Sequence, residues 1–490
     1  MLFNSYEFIF AFLPLSIFIY FYLNKLRLAT ASTSWLVFSS LFFYSWWNVA
    51  YLPLILTSVL FNYSITQVMS SYEENKKNIF SKKTIFQFGL LFNIGLLGYF
   101  KYMDFFIANI NWVVGAELPF LKLALPLAIS FFTLQQIAFL VDSYEGLVKE
   151  NNFLDYTVFV TFFPQLIAGP IVHHSEMMPQ FSTLRTKVIN FKNITKGLAL
   201  FSIGLFKKVV IADTFAIWAT EGFDISQTLS LLEAWATSLA YTFQLYFDFS
   251  GYSDMALGIA FIFNIKLPLN FNSPLKKTGM IDFWKNWHIT LTNFITTYIY
   301  TPINRSYRRL TFHKAMLATL ITFLIAGLWH GASWMFVVFG ALHGIGVVAN
   351  HYWKKTKIKI NKYVAWFITF NFVNFTFVFF RAREWADAVK VLKGMIGQSG
   401  LILPEILASK LSLLNEFGIE FRPLMESIKF SGLIFLYIAI GFIVVLFCKN
   451  SVEIVSHYKR SYKTAIYSSL LFFIGVLSVS GTTEFLYFNF

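Results

Sequence analysis

The stretch AMLATLITFLIAGLWHGASWMFVVFGAL, residues 315–342, contains no aspartate, glutamate, lysine or arginine. A hydrocarbon slab is crossed by about 20 apolar residues in a helix, so this run is long enough to span a membrane. Its one ionisable side chain is His330, in Gly327-Leu-Trp-His-Gly-Ala-Ser-Trp334. Ionisable groups within apolar spans are expensive, and where they occur they point to function.

The rest of the chain has the same character. It is 57% hydrophobic and 13% charged, with a mean hydropathy of +0.60, more apolar surface than a soluble domain can bury. Apolar windows recur from end to end, roughly a dozen spanning or re-entrant segments by hydropathy. The expected fold is an all-α polytopic membrane protein, one multi-span domain over residues 1–490. The first apolar stretch, Phe8 to Leu23, follows Glu7 rather than a basic segment and reads as a retained helix, not a signal peptide. With Cys448 as the only cysteine, disulfides and cysteine-based metal sites within the chain are excluded.

The net charge of +14 does not indicate nucleic acid. Its basic residues sit in short links between spans, where they contact anionic lipid headgroups and set orientation. Four clusters are expected to face the cytoplasm: Lys76, Lys77, Lys82 and Lys83; Arg305, Arg308, Arg309 and Lys314; Lys354 to Lys362; and Lys449 with Lys459, Arg460 and Lys463. That assignment puts spans at roughly 363–380 and 430–448 and leaves 381–429 as an extracytoplasmic or surface segment. Trp385 to Met395 within it has an amphipathic pattern, readable as a helix on the membrane surface, an ordinary loop or a docking surface.

Pro126, Pro164, Pro170, Pro268, Pro274 and Pro302 interrupt other apolar segments. Non-helical backbone at membrane depth survives only under cover of protein or beside a cavity, so half-helices around a central cavity are expected. No internal repeat is visible, which weakens an inverted-repeat transporter reading. Signatures of nucleotide hydrolysis and zinc proteolysis are missing. His173, His174 and Glu176 form a histidine-rich link, but no third ligand stands at metal spacing, so a solvated loop is favoured and no metal is expected.

Asp282-Phe-Trp-Lys-Asn-Trp-His288 is different, because His288 follows two tryptophans and enters an apolar segment. Imidazole can take a proton from an incoming hydroxyl near neutral pH. Gly327 and Gly331 bracket His330, either for helix packing or for close approach of an acyl chain. His343 is read as structural. Asp248 and Asp254 lie in an apolar stretch and need partners; they orient a histidine, satisfy broken backbone, or pair with Lys207 and Lys208, with a supporting role favoured for Asp254.

Taken in order, Leu125-Pro-Leu-Ala-Ile-Ser-Phe-Phe-Thr-Leu-Gln135, Phe163-Pro-Gln-Leu-Ile-Ala-Gly-Pro170, the Tyr246 to Asp254 run, Phe283-Trp-Lys-Asn-Trp-His288, Gly327-Leu-Trp-His330-Gly, Phe379-Phe-Arg-Ala382 and Glu484 to Phe490 resemble the bacterial membrane-bound O-acyltransferases, in the branch of the alginate and peptidoglycan O-acetyltransferases related to the teichoic-acid D-alanylation protein. The resemblance implies a funnel-like helical core with a central tunnel in the bacterial cytoplasmic (inner) membrane. His330 matches the family's invariant histidine and His288 its usual second one; Trp284, Trp287, Trp329, Asn270 and Asp254 are assigned to the substrate and tunnel lining. Acetyl-CoA is the implied cytoplasmic donor, as a substrate, with no resident cofactor. The group would leave on the outer face to an extracytoplasmic acetyltransferase partner or a cell-envelope polysaccharide. His330 would act as general base and His288 would position or polarise the carbonyl, with a covalent acyl-histidine as the other route. D-alanyl transfer, a proton-coupled transporter and a non-catalytic scaffold are the alternatives.

Overall fold

A computed structural model of the chain describes residues 1–72, 80–148, 152–417, 419–422, 433–458, 461–479 and 486. Lys76, Lys77, Pro423, Lys429, Lys459, Arg460 and, apart from Leu486, the terminal stretch 484–490 lie outside the described residues. Helices dominate, and among the described residues the strands are Ile402–Pro404 and Glu420–Arg422, paired in parallel with Ile402 opposite Glu420.

Among the described residues, six helices are long and apolar enough to cross a membrane: Glu7–Lys25, Val49–Ser70, Lys82–Val114, Phe312–His330, Trp334–Thr356 and Lys362–Arg381; Leu433–Phe447 and Tyr462–Leu477 are shorter and apolar. Large apolar side chains such as Phe18, Leu91 and Phe367 are exposed along these helices, as expected where the surrounding solvent is lipid. The expected spans at 363–380 and 430–448 correspond to Lys362–Arg381 and Leu433–Phe447.

The chain folds into two compact units. The first comprises Met1–Leu205, Tyr252–Asn270 and Val455–Phe490; the second comprises Phe206–Gly251 and Phe271–Ile454. A continuous helix, Leu231–Ile262, contributes its first part to the second unit and its last turns to the first.

In the first unit, helix starts follow local chemistry. Ser81 Oγ accepts from the Thr84 amide and Asn152 from those of Leu154 and Asp155, satisfying orphan N–H groups. Pro14, Pro53 and Pro164 occupy first-turn positions, where the missing N–H is no loss. Polar residues clasp spans together. The buried amides of Asn62 and Asn93 bond reciprocally, at 3.2 and 2.6 Å, and Gln136 donates to Ser58 Oγ at 2.9 Å; such pairs hold helices where lipid supplies no hydrophobic drive.

The second unit is organised by the antiparallel hairpin of Phe312–His330 and Trp334–Thr356. A Cβ on Gly327 would strike the Phe336 carbonyl oxygen and lie 2.8 Å from Gly340 Cα, and one on Gly331 would strike the Phe336 ring. Both glycines therefore serve close helix packing against Phe336. The helix Trp385–Met395 takes the expected amphipathic span but is not a free surface element. Ala388, Val391 and Met395 are buried while Trp385 and Val389 stay exposed, and Lys390 Nζ donates to the carbonyls of Phe223 and Ser226 at 2.8 and 2.7 Å. Arg381 forms a two-pronged pair with Asp224, at 3.0 and 2.6 Å. Lys208 is buried between Asp213 and Asp248, at 2.7 and 2.8 Å, which is one of the three roles the sequence left open for Asp248.

Candidate active site

The site is built on a re-entrant segment of the second unit. Near its start, Trp366 Nε1 donates to the Leu275 carbonyl at 2.9 Å and Lys276 Nζ to that of Cys448 at 2.6 Å. Trp366 lies in the first turns of a helix that begins at Lys362, and Cys448 precedes Lys449, so both contacts mark a basic end of this unit. The short helix Met280–Trp284 then climbs along Trp334–Thr356. Its Ile281 amide donates to Asn350 Oδ1 at 3.2 Å, and Trp284 Nε1 donates to Nδ1 of His343, two turns nearer the hairpin bend, at 3.1 Å. After Trp287 the chain reverses and descends through Ile289–Ile295 and Thr301–Ser306 to the Arg305–Lys314 cluster. Thr292 Oγ1 donates to the Trp284 carbonyl at 3.2 Å, tying the arms together.

His288 is the tip. Its backbone is left-handed, φ 44° and ψ 52°, and it precedes the first turn of Ile289–Ile295, where its carbonyl accepts from the Thr292 amide at 3.0 Å. A left-handed conformation is unusual for a residue with a side chain, and such strain clusters at functional sites. The tip is also fully buried, with Phe283, Trp284, Trp287 and Leu291, which is how irregular backbone survives at this depth.

His330 ends the helix Phe312–His330, and Gly331 follows in extended conformation. At 1.5 Å rise per residue the helix carries it about 27 Å from Phe312, beside the Arg305–Lys314 cluster. The rings of His288 and His330 meet with centroids 6.4 Å apart. Their surroundings are aromatic: Phe249 stands edge-on to His288 at 4.7 Å, Trp329 lies 6.1 Å from His288 and 5.0 Å from His330, and Phe380 and Phe339 lie 5.1 and 5.9 Å from His330. Both imidazoles are buried, at 0% and 4% exposure. Two imidazoles so placed can hold a reacting carbonyl or hydroxyl and move its proton with water kept out.

His343 is fully buried too, but both its nitrogens are assigned. An indole only donates, so the Trp284 bond makes Nδ1 an acceptor; Nε2–H then donates to Thr376 Oγ1 at 2.8 Å, and that hydroxyl donates to the Val373 carbonyl. His343 is thus a structural post beneath the re-entrant tip.

Of the residues expected at the site, His288, His330, Trp284, Trp287 and Trp329 come together in the second unit. Asp254 and Asn270 are buried in the first, where Asn270 Nδ2 donates to Ser253 Oγ at 3.4 Å. An apolar cleft of about 480 Å³ in the second unit, lined by residues including Trp235, Phe375, Val389 and Leu392, contains neither histidine. Phe249, Phe339 and Phe380 around the rings were not legible as site residues, because aromatic residues fill the whole chain. The His173–His174 link is not simply solvated: Glu176 is exposed, but His174 is buried and both histidines meet Asp142, which lies too far upstream for spacing to reveal.

Residues 41–382 match the family model of the MBOAT, membrane-bound O-acyltransferase family. Along all of its length the chain is 44% identical to the peptidoglycan O-acetyltransferase of Helicobacter pylori, covering 98% of that protein. It is 33% identical to the probable alginate O-acetylase AlgI of Azotobacter vinelandii over 85% of this chain and 82% of the relative. To the teichoic acid D-alanyltransferase of Streptococcus thermophilus it is 26% identical, over 52% of this chain and 68% of the relative.

Proposed function

The chain belongs to the membrane-bound O-acyltransferase family and is a multi-pass membrane O-acyltransferase, and from this premise we propose that it O-acetylates a cell-envelope polysaccharide from the bacterial inner membrane. Peptidoglycan is the favoured acceptor, because the full-length relative carries that name at 44% identity while the alginate-named relative stands at 33%. D-alanyl transfer is less favoured, since that similarity covers only about half of this chain.

The carrying observation is the meeting of His288 and His330 at 6.4 Å in an apolar, aromatic enclosure. Acetyl-CoA is drawn to the cytoplasmic end by the basic cluster Arg305 to Lys314, and its thioester reaches the rings. His330 takes the proton of the acceptor hydroxyl as its oxygen attacks the thioester carbonyl; the imidazolium then returns a proton to the departing thiolate. His288 positions or polarises the carbonyl, and Trp284, Trp287 and Trp329 wall the reacting group. A covalent acyl-histidine would give the same products in two steps. The acceptor is the polysaccharide itself or an extracytoplasmic partner protein that passes the group on, with 381–429 as the outward-facing segment.

The test supplies labelled acetyl-CoA to the purified protein in vesicles, with glycan fragments and candidate partners, and then locates the label. Label on the glycan or partner supports the reading; no transfer from any acyl donor would sink it.

A further inference from the structure

Asp142, in the last turn of the helix Ile129–Tyr144, is buried, with 4% exposure. His173 precedes the helix His174–Ser182 and His174 begins it. The two imidazoles turn the same ring nitrogen toward one point: His173 Nε2 lies 2.6 Å and His174 Nε2 3.0 Å from Asp142 Oδ2. All three ligand atoms lie within 4.8 Å of one another. His174 is buried edge-on to Phe139, with centroids 5.4 Å apart, while the His173 side chain keeps 36% of its surface exposed.

Without a metal the two rings both donate Nε2–H to one carboxylate oxygen, which has lone pairs for both. A metal ion uses the same three atoms as separate ligands. Two imidazoles and a carboxylate, with one position open to solvent, suit a borderline divalent ion such as zinc; calcium and magnesium prefer all-oxygen shells. The outer contacts are Ser175 Oγ, 2.6 Å from His173 Nδ1, and the Ser175 amide, which donates to the same nitrogen at 3.3 Å; a ring ligating through Nε2 would exchange this cap for an Nδ1–H bond to Ser175 Oγ. The cluster also stands at an end of the fold that a cytosolic ion can reach. Tyr144, two residues beyond Asp142, stacks on Phe86 at 4.5 Å and lies under Lys82 Nζ at 5.7 Å, and the Lys82–Lys83 pair marks the cytoplasmic side.

We propose that Asp142, His173 and His174 form a binding site for a divalent transition-metal ion of the zinc type, in the first unit and separate from the His288–His330 pair. Such an ion would pin the end of one helix to the start of another.

The test uses the full chain purified in detergent through a tag without histidines, stripped with chelator and titrated with Co²⁺, whose visible absorption reports imidazole and carboxylate ligation. The expected result is one Co²⁺ per chain, displaced by Zn²⁺, with affinity at least tenfold weaker in His173→Gln and Asp142→Asn and unchanged in His457→Gln. His173→Gln changes a partly exposed side chain, and its elution profile and melting temperature without metal verify folding. Zn²⁺ is also expected to raise the melting temperature of the unaltered protein and not that of His173→Gln. Absence of Co²⁺ absorption in the unaltered protein, or equal binding by folded His173→Gln and Asp142→Asn, would overturn the proposal.

Discussion

His288 and His330 meet with ring centroids 6.4 Å apart, one at the tip of a re-entrant segment and the other at the end of a membrane-length helix. At that separation no ring nitrogen of one reaches the other within hydrogen-bond length, so the two rings do not bond each other. The left-handed backbone of His288 makes the reversal that sets this geometry.

That backbone gives a first prediction. An L-residue in the left-handed region costs about 1–2 kcal/mol that glycine avoids. His288→Gly is therefore expected to be more thermostable than His288→Ala by about 1 kcal/mol, the reverse of the order inside a helix, with transfer impaired in both. Thermal unfolding in detergent decides it; an alanine variant as stable as the glycine variant would refute the strained tip.

The hairpin crossing makes a second prediction. Gly327→Ala places a Cβ against Phe336 and Gly340, and overpacking of this kind costs about 1–3 kcal/mol. Gly95→Ala, where nothing lies within 4 Å, is expected to leave stability unchanged or slightly raised. Melting temperatures that fall equally in both would show that the glycine, not the crossing, matters.

Lys208 holds two carboxylates, and Asp248 among them is buried. Lys208→Met strands those charges, so a loss of about 3–5 kcal/mol is expected, read as low abundance of folded protein. A Lys208→Met protein with ordinary yield and melting temperature would remove the pair from the account.

His343 shares burial with His288 and His330 but not the proposed role. Thr376→Val takes away the acceptor of its Nε2–H, which costs about 1–3 kcal/mol when a buried donor is stranded. Transfer per folded molecule is expected to stay within a few-fold. A large fall in turnover with unchanged stability would instead bring His343 into the chemistry.

Much of this was legible in the sequence where long-range pattern carries the information. The uncharged run 315–342 announced a membrane-length apolar element, though not the break after His330 that makes it a hairpin; the basic clusters bounded Lys362–Arg381, and the tryptophans before His288 marked an unusual entry into an apolar segment. What was not legible depends on tertiary contact. Asp142 meets His173 and His174 from another helix, the Asn62–Asn93 clasp joins two spans, and His343 is assigned by Trp284 and Thr376. A single residue's left-handed backbone also leaves no trace in composition, since histidine gives no signal comparable to glycine. The buried face of Trp385–Met395 was not legible beyond its amphipathic pattern, because Val391 turns inward while Trp385 and Val389 do not.

The central claim is that His330 moves the proton in acyl transfer. The most direct measurement is the rate of acetyl transfer from labelled acetyl-CoA by vesicle-inserted His330→Ala, normalised to folded protein. The account predicts a loss of about 10²–10⁴-fold with unchanged insertion and melting temperature; a correctly inserted His330→Ala protein that transfers acetyl groups at the unaltered rate would contradict it.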